Sequence, residues 1–168
     1  MIPDRVEAAT YLSALAVCGG QLRLEGARVD HMEMLLRKLE EMGMIVEEDD
    51  SGLQAKVLGR LKAVDVSTLP YPGLATDYKP FLVAALTVSD GAGMVTENIF
   101  AGRFRYIDEL VRMGAEIRAE GRHAVVRGVK RLSGAPVRAH DIRAGAALVV
   151  AGLAADGETA ISNAHHVD

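Results

Sequence analysis

The sequence predicts a mixed α/β fold of the α+β type, built from repeated units of helix, strand, helix, strand and strand. Three Ala-rich apolar segments each begin at an acidic residue and end at a glycine: Asp4 to Gly20, Asp77 to Gly91 and Asp141 to Gly157. Gly20 and Gly91 lie 71 residues apart, and so do Gly43 and Gly114. The same offset at two separate positions indicates a tandem structural repeat.

The repeats divide a single domain into units at about 1–60, 61–131 and 132–168. The third unit follows the pattern as far as Gly157 and ends before a second helix is written. We therefore expect a truncated chain whose apolar core surface is partly uncovered. Because exposed apolar patches favour association, we also expect a homo-oligomer.

The first unit opens with a helix and a strand. Residues 4–18 are predicted to be helical, with Asp4 as the N-cap, because a carboxylate there accepts hydrogen bonds from the first backbone N–H groups. Residues 21–25 alternate polar with apolar side chains. That period of two predicts a half-buried strand.

A second helix and a hairpin complete the first unit. Apolar residues recur at helical spacing over residues 30–42, with Asp30 as the expected cap and Glu33 three positions later, as in a capping box. Residues 49–52 are turn formers between two strand-like segments. This arrangement predicts a β-hairpin.

The second unit repeats the order, and the opening helices are unusually apolar. Its elements are an apolar helix after Asp77, a strand over 94–97, a helix around Phe104, Ile107, Leu110 and Val111, and two strands joined near 120–122. Residues 141–155, which open the third unit, are apolar on every side, and such a helix must be buried. We expect the three opening helices at the centre of the domain, with their N-termini at one end.

Those N-termini are the candidate site for chemistry. A helix N-terminus has unpaired amides and a partial positive charge, which suits phosphate or carboxylate. Arg5, Lys79 and Arg143 follow the three Asp residues by one or two positions. Two interpretations stay open: a cluster of acids and bases that binds an anion, or three ordinary N-caps beside solvated cations.

Composition excludes several classes of protein. The 19 Lys and Arg against 23 Asp and Glu give a net charge of -4. The sequence has no run of basic residues of the kind that binds a phosphate backbone, so a nucleic-acid partner is not expected. We find no apolar run long enough for a bilayer and no signal peptide, so a cytoplasmic location is predicted.

The Cys and His residues predict neither a disulfide nor a metal site. A single cysteine, Cys18, stands at the apolar end of the first helix and is expected to be a small buried thiol. His165 and His166 are adjacent, which would point their side chains apart in a strand. We therefore predict neither a metal nor a cofactor.

Several ordered motifs carry a resemblance to a known family. They are Pro3-Asp4-Arg5, Thr68-Leu-Pro-Tyr-Pro-Gly73, Thr76-Asp77, Thr96-Glu-Asn-Ile-Phe100 with Arg103-Phe104, Leu132-Ser-Gly-Ala135, Asp141-Ile-Arg143 and Ala164-His-His-Val-Asp168. Together they resemble the later part of the UDP-N-acetylglucosamine enolpyruvyl transferases. The resemblance implies an inside-out α/β barrel and a second domain, absent from this chain, that carries the catalytic Cys.

The resemblance also implies a reaction and its residues. In the family, the 3-hydroxyl of UDP-N-acetylglucosamine attacks C2 of phosphoenolpyruvate and phosphate leaves, the first committed step of peptidoglycan synthesis. Asp77 matches the favoured general base, which also binds the sugar hydroxyl. Ile99 matches a position whose backbone binds the sugar, and Arg103 matches an arginine on the phosphoenolpyruvate side. Asp4 and Asp141 are further catalytic candidates, and Arg143 is a further substrate-binding candidate.

Departures from the family pattern leave alternatives open. Tyr78-Lys79-Pro80 and Ala101-Gly102 differ from the usual residues beside the cleft, and His140 stands where Thr is common. The alternatives are a non-catalytic nucleotide-sugar-binding module, or a sibling transferase acting on shikimate 3-phosphate or another nucleoside. The motifs at 68–73 and 132–135 favour the amino-sugar enzyme, and the chain by itself is expected to be inactive.

Overall fold

The computed structural model describes residues 3–166, the last of them by its backbone only. The helices are α1 (Arg5–Cys18), α2 (Glu33–Met42), α3 (Lys79–Thr87), α4 (Ile107–Arg112) and α5 (Ile142–Leu153), with 3-10 turns at Val29–His31, Thr76–Tyr78 and Ala164–His166. Among the helices of this described part, none has the length and apolarity needed to cross a membrane.

Eleven strands in the described residues form two sheets and two short pairs. The strands are β1 (Gly20–Glu25), β2 (Ile45–Asp49), β3 (Gly52–Val57), β4 (Val66–Ser67), β5 (Ala92–Thr96), β6 (Glu116–Glu120), β7 (His123–Arg127), β8 (Leu132–Ser133), β9 (Pro136–Arg138), β10 (Ala155–Asp156) and β11 (Ala160–Ser162). One sheet has the antiparallel order β1-β3-β2, and the other has the order β4-β5-β7-β6 with β4 parallel to β5. The parallel pairs β8 with β10 and β9 with β11 flank α5 in sequence.

Three helices form the centre of the molecule. α1, α3 and α5 pack against one another, while the two sheets pack outside α1 and α3. All nine residues of α3 are buried, and the inward faces of β3 and β7 are covered by these helices. The order helix, strand, helix, strand, strand occurs in α1 to β3 and, with β5, again in α3 to β7. The predicted central position of the opening helices is thus confirmed.

The repeated glycines share a backbone conformation and do not mark the ends of the second and third opening helices. α3 ends at Thr87 and α5 at Leu153, so Gly91 and Gly157 do not close them as predicted. Gly20, Gly91 and Gly157 instead have φ values of 103°, 100° and 91° beside the strand that follows each helix. Glycine adopts this left-handed conformation with little strain. The repeat is therefore visible in backbone geometry as well as in sequence.

Burial of α5 on every side was a wrong prediction. Ile142, Val149 and Leu153 are 57%, 42% and 58% exposed, while Ala147 and Leu148 are fully buried. The physical reason is that α1 and α3 cover the opposite face of α5, and no element within residues 3–166 covers this one. An apolar sequence therefore identified the helix but not the number of faces it buries.

Two predictions about local helix structure were also wrong. α2 begins after Met32, which makes no side-chain cap, whereas Asp30 lies in a 3-10 turn and pairs with Arg28 at 2.6 Å. The competing ion pair removes Asp30 from the capping box. In the second unit, α4 begins only at Ile107, so Phe104 lies before it and the helix is shorter than its apolar pattern suggested. Val111 belongs to α4 but is exposed, so it does not contribute to the buried face.

The single thiol is exposed, contrary to the prediction of a buried one. Cys18 is the last residue of α1, beside Gly19 and facing an open groove, with its Sγ 4.0 Å from the carbonyl oxygen of Leu153. Partial desolvation nevertheless raises the pKa of the Cys18 thiol, so the protonated form is favoured at neutral pH.

The two consecutive histidines lie in a 3-10 turn, not in the predicted strand. The turn follows β11, whose pairing with β9 ends at Ser162. His166 is described only by its backbone, and Val167 and Asp168 of the same motif lie outside the described residues.

We expect Leu82→Ala to lower the free energy of unfolding by about 3 kcal/mol, because it leaves a cavity where the side chain is fully buried in α3. Urea denaturation followed by circular dichroism measures the change. Leu58→Ala is the matched control, since Leu58 is 75% exposed and its loss should change stability by less than about 0.5 kcal/mol. Equal losses in the two variants would contradict a core centred on α3.

Candidate active site

The starts of α1, α3 and α5 lie close together, as the repeat predicts. The marker is Tyr78, which is only 3% exposed at the start of α3. Burial raises the pKa of Tyr78, and the charges of Arg5, Asp4, Asp77 and Arg143 all act on the same hydroxyl. The structure therefore brings these candidate residues from three units to one end of the core.

The three repeated carboxylates have different local roles. Asp4 Oδ1 accepts hydrogen bonds from the backbone of Val6 at 2.7 Å and Glu7 at 3.4 Å, and Asp141 Oδ1 accepts one from Ala144 at 2.8 Å. Both are N-caps, as the capping interpretation predicts. Asp77 caps nothing: it lies in the 3-10 turn before α3 and remains 41% exposed. Its carboxylate is thus available for chemistry.

Arg103 is the direct partner of Asp77. Its guanidinium donates one hydrogen bond to Asp77 Oδ1 at 3.2 Å and another to Thr76 Oγ1 at 3.1 Å. The same guanidinium lies 5.3 Å from the centre of the Phe100 ring, a distance typical of a cation–π contact. Two adjacent residues of one turn therefore orient this arginine.

Directly behind this pair lies a buried lysine and glutamate. Lys79 and Glu97 are 0% and 1% exposed, and Lys79 Nζ lies 2.8 Å from Glu97 Oε2. Lys79 also donates to the carbonyl oxygen of Arg103 at 2.7 Å and lies 4.0 Å from the centre of the Phe104 ring. A buried ion pair of this kind is stable only when its remaining polar groups find partners.

The carboxylate of Glu97 is satisfied on both oxygens. Oε1 accepts from Thr68 Oγ1, Ile99 N and Phe100 N at 2.8, 2.8 and 3.1 Å, and Oε2 accepts from Thr76 Oγ1 at 2.7 Å as well as from Lys79. Burial by itself would raise the pKa of Glu97, but hydrogen bonds from Lys79, Thr76, Ile99 and Thr68 lower it to about 2. Glu97 is therefore ionised at neutral pH.

An open cleft of about 460 Å³ lies in front of Arg103. Its lining residues are Pro80, Phe100, Ala101, Gly102, Arg103, Arg105, Tyr106, Asp141, Arg143 and Ala144. Three guanidinium groups thus face one carboxylate. Arg143 Nε is buried without a hydrogen-bond partner among the described residues. This excess of guanidinium groups suits a carboxylate or phosphate, which arginine can bind through two parallel hydrogen bonds.

The remaining predicted residues lie beside the cleft. The N–H of Ile99 is already bound to Glu97, so its carbonyl oxygen is the backbone group left for the predicted contact with a sugar. His140 lies 3.5 Å from Glu109 Oε1 and does not line the cleft. Within residues 3–166, no three His, Cys, Asp or Glu side chains converge as a metal site requires.

Sequence reasoning missed Lys79 and Glu97 as a buried pair. One signal was available. Lys79 precedes seven uncharged and mostly apolar residues in a predicted helix, and a lysine at the start of such a helix is expected to lie next to the hydrophobic core. A buried cation requires an acid. The partner could not be chosen from the sequence, since 23 Asp and Glu residues were available.

The fold and the clustered helix starts are those of one known family, and the family is shown by comparison with its sequence model. The family model described as EPSP synthase (3-phosphoshikimate 1-carboxyvinyltransferase) matches residues 1–168. The chain belongs to this family.

Within the family, similar curated proteins share one name. A protein from Caldanaerobacter subterraneus named UDP-N-acetylglucosamine 1-carboxyvinyltransferase 3 is 48% identical over all 168 residues. Proteins named UDP-N-acetylglucosamine 1-carboxyvinyltransferase from Gluconacetobacter diazotrophicus and Desulfofundulus thermocisternus are each 49% identical. The chain spans 40% of the length of the first two proteins and 69% of the third.

Solved structures support the fold. The enolpyruvyl transferase NikO from Streptomyces tendae superposes with a TM-score of 0.88 at 27% identity, covering 99% of this chain and 40% of that one. EPSP synthase from Acinetobacter baumannii gives a TM-score of 0.73 at 18% identity, covering 96% of this chain and 39% of that one. The predicted inside-out α/β barrel of the enolpyruvyl transferase type is thereby confirmed.

We expect Glu97→Gln to lower the free energy of unfolding by about 3–5 kcal/mol, because it leaves the Lys79 ammonium buried without a counter-charge. Urea denaturation measures the loss. Glu33→Gln is the control, since Glu33 pairs with Arg37 on the exposed surface of α2 and should contribute less than about 1 kcal/mol. If both variants lose equally little, the buried pair does not stabilise the fold.

The same pair predicts a response to acid. The pKa of Glu97 is about 2 in the folded protein, against an ordinary value of 4.5. The ionised side chain therefore stabilises the folded state fully above about pH 4.5, and this stabilisation is lost as the pH falls towards 2. We expect the stability difference between the parent and Glu97→Gln to be constant from pH 7 to 5 and smaller at pH 3. Unfolding curves at these pH values measure it, and a difference that persists unchanged at pH 3 argues against a lowered pKa.

Proposed function

We propose that this chain forms the sugar-facing part of an enolpyruvyl transferase that moves the enolpyruvyl group of phosphoenolpyruvate to the 3-hydroxyl of UDP-N-acetylglucosamine. The observation that carries the proposal is the Asp77 carboxylate held 3.2 Å from the Arg103 guanidinium, next to a cleft rich in arginine. The shared name of the similar curated proteins supports this acceptor over shikimate 3-phosphate.

Asp77 is suited to act as the general base. It is partly exposed, it does not cap a helix, and Arg103 holds one of its oxygens. In the proposed reaction, Asp77 takes the proton of the sugar 3-hydroxyl as that oxygen attacks C2 of phosphoenolpyruvate, while C3 takes up a proton from an acid on the facing domain. Loss of a proton from C3 then restores the double bond as phosphate leaves. A positioned base of this kind contributes about 100-fold or more to rate.

Arg103 and Arg143 are the proposed binding groups for the anionic substrate. Both line the cleft, and planar guanidinium groups hold carboxylate or phosphate with defined orientation. They can steady the charge on phosphoenolpyruvate while phosphate leaves from the tetrahedral intermediate. Asp4 and Asp141 each use Oδ1 in a cap, so we assign them to orienting the helix ends rather than to proton transfer.

Further groups must come from a second domain. Cys18 ends α1 whereas Asp4 begins it, which separates them by roughly 20 Å at 1.5 Å per helical residue. Cys18 therefore cannot serve the site as a catalytic Cys. We propose that the facing domain supplies that residue, and that the complete enzyme acts in the cytoplasm at the first committed step of peptidoglycan synthesis.

We expect Asp77→Asn, made in the complete gene product, to lower kcat by about 100-fold or more while sugar binding stays within a few-fold of the parent. Phosphate release and calorimetry measure the two quantities. Asp90→Asn is the control, because Asp90 is 76% exposed and pairs only loosely, at 3.8 Å, with Arg60. The 168-residue chain by itself should release no phosphate, since the proposed site also needs groups from a facing domain.

The possible results separate the candidate functions. A kcat for Asp77→Asn within a few-fold of the parent would remove Asp77 from the role of base and make Asp141 and Asp4 the next residues to test. Binding of UDP-N-acetylglucosamine by the complete gene product without any phosphate release would instead favour the non-catalytic nucleotide-sugar-binding module.

A further inference from the structure

We propose that Thr76, Lys79 and Glu97 are positioning residues that set Arg103 against Asp77, so that the proposed reaction depends on three side chains outside the cleft lining. The inference rests on the proposed function. Arg103 contacts the buried Lys79–Glu97 pair in two ways: its carbonyl oxygen accepts directly from Lys79, and its guanidinium is connected to Glu97 through the hydroxyl of Thr76.

The main chain of Arg103 is held by Lys79. Its ammonium binds Glu97 at 2.8 Å and the carbonyl oxygen of Arg103 at 2.7 Å. Glu97 in turn accepts the backbone N–H groups of Ile99 and Phe100. One ion pair therefore fixes the loop of residues 98–103 at its beginning, next to Glu97, and again at Arg103.

The side chain of Arg103 is held by Thr76. Its hydroxyl donates to Glu97 Oε2 at 2.7 Å and accepts from Arg103 Nη1 at 3.1 Å. Because the single hydroxyl proton is committed to Glu97, an oxygen lone pair is directed towards the guanidinium. Thr76 is adjacent to Asp77 in the same turn. The two acceptors of Arg103 are thus held by one segment of backbone.

Apolar packing cannot hold this loop by itself. Phe100 is 53% exposed, Ala101 and Gly102 are also exposed, and Gly102 has a φ of 74°. Polar contacts fix the loop instead. Asn98 binds Ser67, Thr68 and Arg122 at its beginning, and the contacts with Glu97, Thr76 and Lys79 hold the stretch from Ile99 to Arg103. Misplacement of a guanidinium fork by about 1 Å can reduce a rate about 100-fold, so this constraint bears directly on turnover.

The test compares three variants of the complete gene product. Thr76→Val keeps the shape of the side chain but removes the hydroxyl, and Thr76→Ser keeps the hydroxyl. Thr87→Val is the matched control: Thr87 is also buried, at the far end of α3, and its hydroxyl donates to Ala84 O at 2.6 Å. Both valine variants therefore remove one buried hydroxyl next to or within the same helix.

Two measurements are made on each variant. The first is kcat and KM for phosphoenolpyruvate, by phosphate release. The second needs no activity: the rate at which phenylglyoxal labels Arg103, read by mass spectrometry of the peptide. We expect Thr76→Val to lose about 10-fold in kcat/KM and to label Arg103 faster, whereas Thr76→Ser and Thr87→Val stay near the parent.

The outcomes are separable. If Thr76→Val matches Thr87→Val in both measurements, the positioning role is overturned even though the enzyme is active. If the parent releases no phosphate, the proposed function fails, and the labelling rate still decides whether Thr76 orients Arg103. Faster labelling in Thr76→Val that is restored in Thr76→Ser supports the role in either case.

Discussion

The architecture of the site depends on one ion pair that water does not reach. Lys79 and Glu97 join the start of the fully buried helix α3 to the loop after β5, two segments that have no backbone hydrogen-bond ladder between them. Removing two charges from water is costly, and here the cost is offset by donors on every side of the carboxylate. Asp77 and Arg103 lie on the two segments that this pair joins. The distance between their side chains at the surface therefore depends on an ion pair in the interior.

The repeat departs from its own pattern where the site is built. Units one and three use an Asp as an ordinary N-cap, at Asp4 and Asp141. In unit two, a 3-10 turn precedes α3, so the corresponding Asp77 lies before the helix and faces Arg103. Local rules are often broken at functional sites because such residues serve a purpose other than stability. The altered copy, not the regular ones, therefore carries the proposed base.

Much of the fold could be predicted from the sequence because its signals are local. Alternation predicted β1, the turn formers at 49–52 predicted the hairpin of β2 and β3, and the apolar segment after Asp77 predicted a buried α3. The errors concern features that depend on distant segments. Exposure of Cys18 and of one face of α5 depends on which elements cover them, and the pairing of Lys79 with Glu97 depends on how α3 meets a loop 18 residues later.

The common orientation of α1, α3 and α5 has an electrical consequence. Each helix contributes roughly half a positive charge at its N-terminus, and these ends meet beside Tyr78. All residues of α3 are buried, so solvent screens the partial charge at its N-terminus only weakly. Unlike a guanidinium or a carboxylate, this field cannot be titrated or removed by replacing a side chain. Part of the anion preference that we propose for the cleft thus follows from the common orientation of three helices and not from any single side chain.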